Sequence, residues 1–161
     1  MNAEDVLKYG HNLVLETVDG LPTEQWYTQG VCGWWSVRDI IGHLASYEQL
    51  YFEAFNHVLN PKDEMPTLDR RGALDGDKFN KEQVARRQNY KPREVLAEYS
   101  EWQEKLREVV GKIPVEKRRE AGLFPWYGEA YDLEDIVCYS IYAHKREHGA
   151  QMAVFMDHLK A

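Results

Sequence analysis

Apolar residues recur at intervals of three and four along most of this chain, the spacing that places them on one face of an α-helix. The first such segment runs from about residue 3 to residue 19. Gly20 and Pro22 follow it, and glycine just after a helix with proline beyond it is a common way for helices to end. The pattern therefore predicts an N-terminal amphipathic helix.

A second helix is predicted from Ser36 to Leu59, and its ends are marked more sharply. Ser36 provides a hydroxyl cap, and Asp39 follows three residues later, as in a capping box. Asn60-Pro61 ends the segment because the residue before proline disfavours helical geometry. The apolar stripe consists of Val37, Ile40, Ile41, Leu44, Tyr51, Phe55, Val58 and Leu59.

Two further helices are predicted in the second half of the chain. One covers about residues 92–112, with Pro92 in its first turn, and a shorter helical piece over about 80–89 precedes it. The last helix is capped by Asp132, carries acidic residues in its first turn and runs to the C-terminus.

The connections over residues 60–77 and 114–131 are predicted to be irregular. They are long for a compact domain and contain several prolines and glycines. No β alternation is long enough to build a sheet, and there is no internal repeat. We therefore predict an all-α four-helix bundle, one domain over residues 1–161, in which a long crossover leaves the second and third helices parallel.

Composition and charge narrow the function. The 161 residues are 43% hydrophobic, which is enough to form a core without the help of a metal. A bound metal would therefore be expected to take part in catalysis or to shape a binding pocket. The net charge is −7, and the short basic clusters Arg86-Arg87, Lys117–Arg119 and Lys145-Arg146 are predicted to be solvated, so nucleic acid is not an expected partner. No apolar run approaches the ~20 residues that cross a bilayer, and no signal pattern opens the chain. We expect a cytoplasmic protein.

Three of the six histidines form a candidate metal site. His144 and His148 are four apart on a predicted helix, so their imidazoles project from one face. His43 lies beside the apolar stripe of the second helix. It is either a core histidine bonded to a carbonyl or to Asp39, or a third ligand delivered from a second helix. His11, His57 and His158 are predicted to lie at the surface.

Two residues beside these histidines are candidates for supporting roles. Residues 144–148 match the H-x-x-E-H pattern of inverted zinc proteases, but only 13 residues follow His148, so that family is rejected. Glu147 is a candidate proton-transfer group, although a solvent-facing position is the simpler interpretation. Gln151 projects near the histidine face and either contacts a ligand or a histidine, or fills space.

Several motifs together resemble the DinB superfamily. Segment 33–44, which contains Trp35-Ser36, Asp39 and His43-Leu44, resembles the W-S-x-x-[DE]-x-x-x-H-L motif of that family, and residues 144–151 resemble its C-terminal H-x-x-E-H-x-x-Q element. Residues 79–87 are similar to a segment found in members near the ClbS/DfsB group. The resemblance implies an up-down-down-up bundle, often a homodimer, with nickel or zinc bound by His43, His144 and His148.

The candidate pocket is aromatic. Trp34, Trp35, Tyr47, Tyr51, Trp126 and Tyr127 can wall a small-molecule site at the mouth of the bundle, and Trp35 and the loop 124–128 are preferred. The substrate-pocket residues predicted are Trp35, Tyr47, Trp126 and Gln151.

Three functions are compatible with these features. The first is a metal-dependent enzyme that hydrolyses a small electrophile or transfers a thiol to it, since three imidazoles with open positions are typical of a catalytic site. The second is a binding or sequestering protein with a metal-organised pocket. The third is a noncatalytic bundle with core histidines. The first is preferred.

Overall fold

Helices account for most of the chain in the computed structural model, which describes residues 2–160 and the side chains of residues 2–159. In chain order the elements are α1 (Ala3–Val18), a 3-10 turn (Thr23–Tyr27), β1 (Gln29–Cys32), β2 (Trp35–Ser36), α2 (Val37–Leu59), α3 (Pro66–Ala73), α4 (Gly76–Arg86), α5 (Pro92–Lys112), α6 (Val115–Arg118), α7 (Leu133–Ile136), a π-helical turn (Val137–Tyr142) and α8 (Ala143–Lys160). The predicted all-α class is confirmed. The predicted helix end at Ala161, like Met1, lies outside the described residues.

The predicted helix caps are present. The Ser36 hydroxyl accepts a hydrogen bond from the Asp39 N–H at 3.3 Å, and the Asp39 carboxylate accepts one from the Ser36 N–H at 3.0 Å. Asp132 caps α7 in the same way, accepting from the Asp135 N–H at 2.9 Å. These bonds satisfy N–H groups that have no partner within the helix, which is why the two starts could be read from local sequence.

The connection after α2 is more helical than predicted. Residues 60–77 were expected to be irregular, yet α3 lies within them and α4 begins at Gly76, ahead of the expected start near residue 80. The start of α3 is capped from a distance: the buried Glu53 carboxylate of α2 accepts hydrogen bonds from the Thr67 N–H and Oγ1, each at 2.7 Å. A cap supplied by another helix leaves no local sequence signal.

A short β-hairpin precedes α2, which the prediction of no sheet missed. Strands β1 and β2 pair antiparallel, with Cys32 opposite Trp35. Gly33 turns the chain between them at φ +57°, a left-handed conformation that glycine adopts without strain. Strands of two to four residues are too short for alternation to be visible in a sequence.

One member of each short basic cluster is buried, contrary to the prediction that all three clusters are solvated. Arg87 pairs with Glu98 of α5, Arg118 donates to the carbonyl of Ile113 at 2.7 Å, and Lys145 is 1% exposed. A buried cation needs a partner, and each of these three has one.

The long helices pack around two groups of buried side chains. α2 lies along α5, and α1 contacts both α5 and α8. One group surrounds Phe55 and Ile136, and the other surrounds Ile40 and Tyr99. Within residues 2–160, no helix is both long enough and apolar enough to cross a bilayer. The up-down-down-up order stays a prediction.

Gly42 allows α2 to approach α4 and α5 closely. A Cβ placed there would lie 3.0 Å from Cδ of Arg87 and 3.4 Å from Cγ2 of Val95. Arg87 cannot swing aside at low cost, because its guanidinium binds both carboxylate oxygens of Glu98, at 2.8 and 2.7 Å. The contact therefore favours a residue without a side chain.

We predict opposite effects for the same substitution at two helical glycines. Gly72→Ala places its Cβ in open space and should raise the free energy of unfolding by up to about 1 kcal/mol through helix propensity. Gly42→Ala has the same propensity gain but overpacks the contact, which costs about 1–3 kcal/mol. Urea unfolding should rank Gly72→Ala above Gly42→Ala by at least about 1 kcal/mol. Equal stabilities would contradict the close packing at Gly42.

Candidate metal centre

The structure brings His43, His144 and His148 together. The Nε2 atom of His144 lies 2.8 Å from Nε2 of His43 and 3.0 Å from Nε2 of His148. One nitrogen from each ring falls within a group no wider than 4.8 Å. His43 and His148 are buried and His144 is half-buried. The arrangement thus places three imidazoles from two helices around one point, as sequence spacing suggested.

The helical context of these residues is a regular α2 and an irregular entry into α8. His43 lies in the second turn of α2, and His144 and His148 lie one turn apart at the start of α8. The π-helical turn Val137–Tyr142 ends directly before α8. Such a turn holds one more residue than an α-helical turn and is frequent at functional sites.

Burial keeps the three imidazoles neutral. Loss of hydration, followed by the nearby His144 and His148, lowers the pKa of His43 to about 2. The same cause, with His148 next, lowers the pKa of His144 to about 3. Burial also lowers the pKa of His148, against a hydrogen bond to Gln151 that raises it. Neutral rings are the form that binds a metal.

The hydrogen bond to Gln151 fixes the tautomer of His148. Nδ1 of His148 lies 2.8 Å from Oε1 of Gln151, and an amide oxygen can only accept, so Nδ1 carries the proton. Its Nε2 then presents a lone pair toward the other two histidines. This is the usual way in which a second group orients a metal-binding imidazole. Of the two roles considered for Gln151, contact with a histidine is the one observed.

The three nitrogens fit a divalent ion. Imidazole nitrogens that share a tetrahedral zinc at about 2.1 Å lie about 3.4 Å apart, so the observed 2.8 and 3.0 Å need only small side-chain shifts. The donor set of three imidazoles suits zinc, nickel, copper or iron.

A buried ion pair lies beside the histidines. Nζ of Lys145 is 3.1 Å from Oε1 of Glu48 in α2, and it also donates to Oε1 of Gln103 in α5. Lys145 and Glu48 are 1% and 2% exposed. Burial raises the pKa of Glu48 and lowers that of Lys145, and the attraction between them opposes both shifts. Sequence analysis missed this pair.

A cavity of about 700 Å³ opens onto the histidines, a size typical of small-molecule sites. Trp35 and Tyr47 line it, and each ring centroid lies 4.9 Å from that of His43. Glu147 lines it too and is exposed. The lining residues that sequence analysis did not select include Cys32, Asp77, Asn80, Lys81, Tyr139 and Ser140.

Two of the predicted pocket residues lie outside this cavity. Trp126 lines a second, neighbouring cavity, where its ring is 6.3 Å from that of Tyr51. Gln151 does not line the histidine cavity and is placed behind His148. Of the predicted pocket residues, Trp35 and Tyr47 line the histidine cavity, Trp126 lines the neighbouring cavity, and Gln151 contacts His148. That these residues contact a substrate stays a prediction.

The histidines predicted to lie at the surface differ from one another. His158 is exposed and His57 is half-buried. His11 is half-buried, with its ring centroid 4.9 Å from that of Tyr99, and burial followed by the charge of Lys145 lowers its pKa to about 4. His11 is thus partly buried and not at the surface, and it lies outside the metal centre.

We predict that the metal-free protein loses stability as the pH falls from 7 to 5. The unfolded chain binds protons at histidine below about pH 6.5, whereas the folded protein excludes them from His43 down to about pH 2. The contribution of His43 is therefore present above pH 6.5 and is lost as the pH decreases. In EDTA, His43→Gln should reduce the slope of unfolding free energy against pH by about 1.4 kcal/mol per unit below pH 6. An unchanged slope in urea unfolding would show that His43 is not held neutral.

Comparison with known proteins places the chain in a family. A search of curated proteins and a search of solved structures both found no match. A scan of protein families found a match to the DinB superfamily over residues 7–152, which include all three clustered histidines. Because this match covers most of the sequence, the protein belongs to the DinB superfamily.

Proposed function

We propose that this protein is a metal-dependent enzyme that hydrolyses a small electrophile or transfers a thiol to it. His43, His144 and His148 would hold a divalent ion, with zinc or nickel the preferred candidates. The observation that carries the proposal is the convergence of three neutral imidazoles on the wall of a cavity of about 700 Å³. Membership of the DinB superfamily supports the metal site but does not fix the chemistry.

A bound divalent ion would supply Lewis acidity and would lower the pKa of a water molecule or thiol toward neutrality. The protein's own residues prepare the site. Gln151 orients His148, and the rings of Trp35 and Tyr47 cover His43 and exclude water from it. Glu147 is the candidate proton acceptor, because its carboxylate lines the same cavity one residue before His148.

The remaining sequence-based expectations belong to the same proposal. We infer an up-down-down-up four-helix bundle that acts as a homodimer in the cytoplasm on a small-molecule partner, without nucleic acid or membrane partners. The contacts of α1 with α5 and α8, and of α2 with α5, are compatible with that bundle.

One observation favours binding or sequestration without turnover as the alternative. The carboxylates that line the histidine cavity, Glu147 and Asp77, are both exposed. General acids and bases are commonly tuned by burial, which these two groups lack. A pocket organised by a metal and walled by aromatic rings would still retain a small molecule.

We predict that tag-free protein retains about one equivalent of zinc or nickel after incubation and dialysis, because three imidazole nitrogens lie close together. Elemental analysis should show loss of the metal in His43→Ala and in His144→Ala. The exposed His158 provides the matched control, and His158→Ala should keep the metal. Gln151→Ala should weaken affinity about 10–100-fold. Equal metal content in all variants, or none in the wild type, would refute the site.

We predict that the zinc-loaded protein accelerates at least one of two reactions. One is hydrolysis of 4-nitrophenyl acetate, and the other is substitution of the chloride of 1-chloro-2,4-dinitrobenzene by the thiol of glutathione, which releases chloride and a proton. If Glu147 accepts the proton, Glu147→Gln should lower kcat about 10²–10⁴-fold with metal content unchanged. Glu101→Gln removes a similarly exposed carboxylate far from the cavity and should have no effect. Binding of such compounds without turnover would favour the sequestering alternative.

A further inference from the structure

A second cavity of about 690 Å³ adjoins the one that contains the histidines. The two share three lining residues, Tyr47, Tyr51 and Ser140. The Tyr51 hydroxyl and the Ser140 hydroxyl are hydrogen-bonded at 2.9 Å, and Ser140 belongs to the π-helical turn. The cavities are therefore two chambers with a common wall, and the metal centre occupies only one of them.

The second chamber is lined largely by apolar and aromatic side chains. Leu50 and Leu68 contribute aliphatic surface, and the loop after α6 contributes Trp126 and Tyr127. The ring centroids of Trp126 lie 6.3 Å from Tyr51 and 6.0 Å from Tyr127. Rings at these separations offer faces and edges to a further aromatic or aliphatic group. The chamber suits the body of an apolar molecule.

Arg71 is the one cationic side chain among the described residues that line this chamber. It is half-buried, and its Nη1 donates a hydrogen bond to the Leu74 carbonyl at 3.3 Å. Within residues 2–159 it forms no ion pair, although Asp69 lines the same chamber. The neighbouring Arg70, by contrast, is paired with Glu82. Arg71 thus retains a planar set of donors that matches a carboxylate.

The helix that carries Arg71 is held in place. The buried Glu53 carboxylate caps α3 at Thr67, one turn before Arg71. Gly72 follows, and a Cβ built on it meets no atom within 4 Å. The chamber therefore has a cationic side chain, carried on a capped helix, beside open space, and an acidic group of a ligand could lie there.

We propose that the second chamber is a subsite for a small aromatic or apolar carboxylate. Arg71 binds the carboxylate, the apolar body packs against Trp126 and Tyr127, and the opposite end of the molecule reaches the histidines past Tyr51 and Ser140. This subsite would give the proposed enzyme a substrate class. The inference rests on the proposed function only for the reaction at the end of the ligand that reaches the histidines.

The test is calorimetric titration with 4-phenylbutyrate and its neutral analogue 4-phenylbutanamide, in EDTA and again with zinc. The carboxylate should bind about tenfold more tightly than the amide under both conditions. Arg71→Gln should abolish that difference. Arg70→Gln removes the same charge from the same helix outside the chamber and should preserve it. Gly72→Phe fills the open space and should weaken both ligands at least tenfold.

Metal content separates this inference from the proposed function. The Arg70, Arg71 and Gly72 variants should all retain the wild-type amount of zinc, and titrations in EDTA do not depend on any metal. If Gly72→Phe fails to fold, Arg71→Gln alone decides. A carboxylate preference that survives Arg71→Gln, or that appears only with zinc, would overturn the proposal because the acid would then bind elsewhere. Absence of 4-phenylbutyrate binding to the wild type at millimolar concentration would overturn it too.

Discussion

The ion pair between Glu48 and Lys145 determines how α2 and α8 meet. Both side chains are almost inaccessible to water, and Gln103 of α5 bonds the same ammonium group. Separating two buried charges would cost several kcal/mol, so sliding or rotating one helix against the other is strongly disfavoured. Because His144 directly precedes Lys145, and His43 lies little more than one turn before Glu48, the alignment that pairs the charges also brings the imidazoles together. Such a pair adds little net stability. Apolar contacts alone would allow several alignments of α2 and α8, and the ion pair favours the one in which the two charges meet.

A second buried carboxylate has a comparable role on the other side of α2. Glu53 caps α3, and α3 carries Leu68, Arg71 and Gly72 along one wall of the second chamber. One helix thus supplies His43 to the metal centre, Glu48 to the ion pair and Glu53 to the chamber wall. The site is therefore built mainly on α2. Buried polar contacts hold α8 and α3 against this helix, and the groups that form them are largely shielded from water.

Sequence patterns were sufficient for two helix caps and for histidines one helical turn apart. These are the caps at Ser36 and Asp132 and the four-residue spacing of His144 and His148. His43 was predicted as a third ligand because it lies next to the apolar stripe of α2. Prediction failed where the partner is distant. Glu48 fills the gap between Leu44 and Tyr51 in the apolar stripe, and Lys145 falls between Ile141 and His148 on the buried face of α8, so both positions carried a signal of burial. Their charges suggested solvent-exposed positions, because the two partners lie 97 residues apart and neither can be identified from the sequence near the other. In the same way, the sequence near α3 gives no sign that Glu53 caps it.

The π-helical turn has a consequence for how this sequence can change length. Removing one residue from Val137–Tyr142 would allow an ordinary α-helical turn to form, and each residue of an α-helix corresponds to a rotation of about 100°. Because a π-helical turn holds one more residue than an α-helical turn for the same rotation, this deletion would leave His144, Lys145 and His148 facing α2 and Asp132 at its cap. One residue can therefore be lost from the π-helical turn with both ends of the segment still in phase. A deletion between His144 and His148 has no such compensation, because it would turn His148 by about 100° relative to His144.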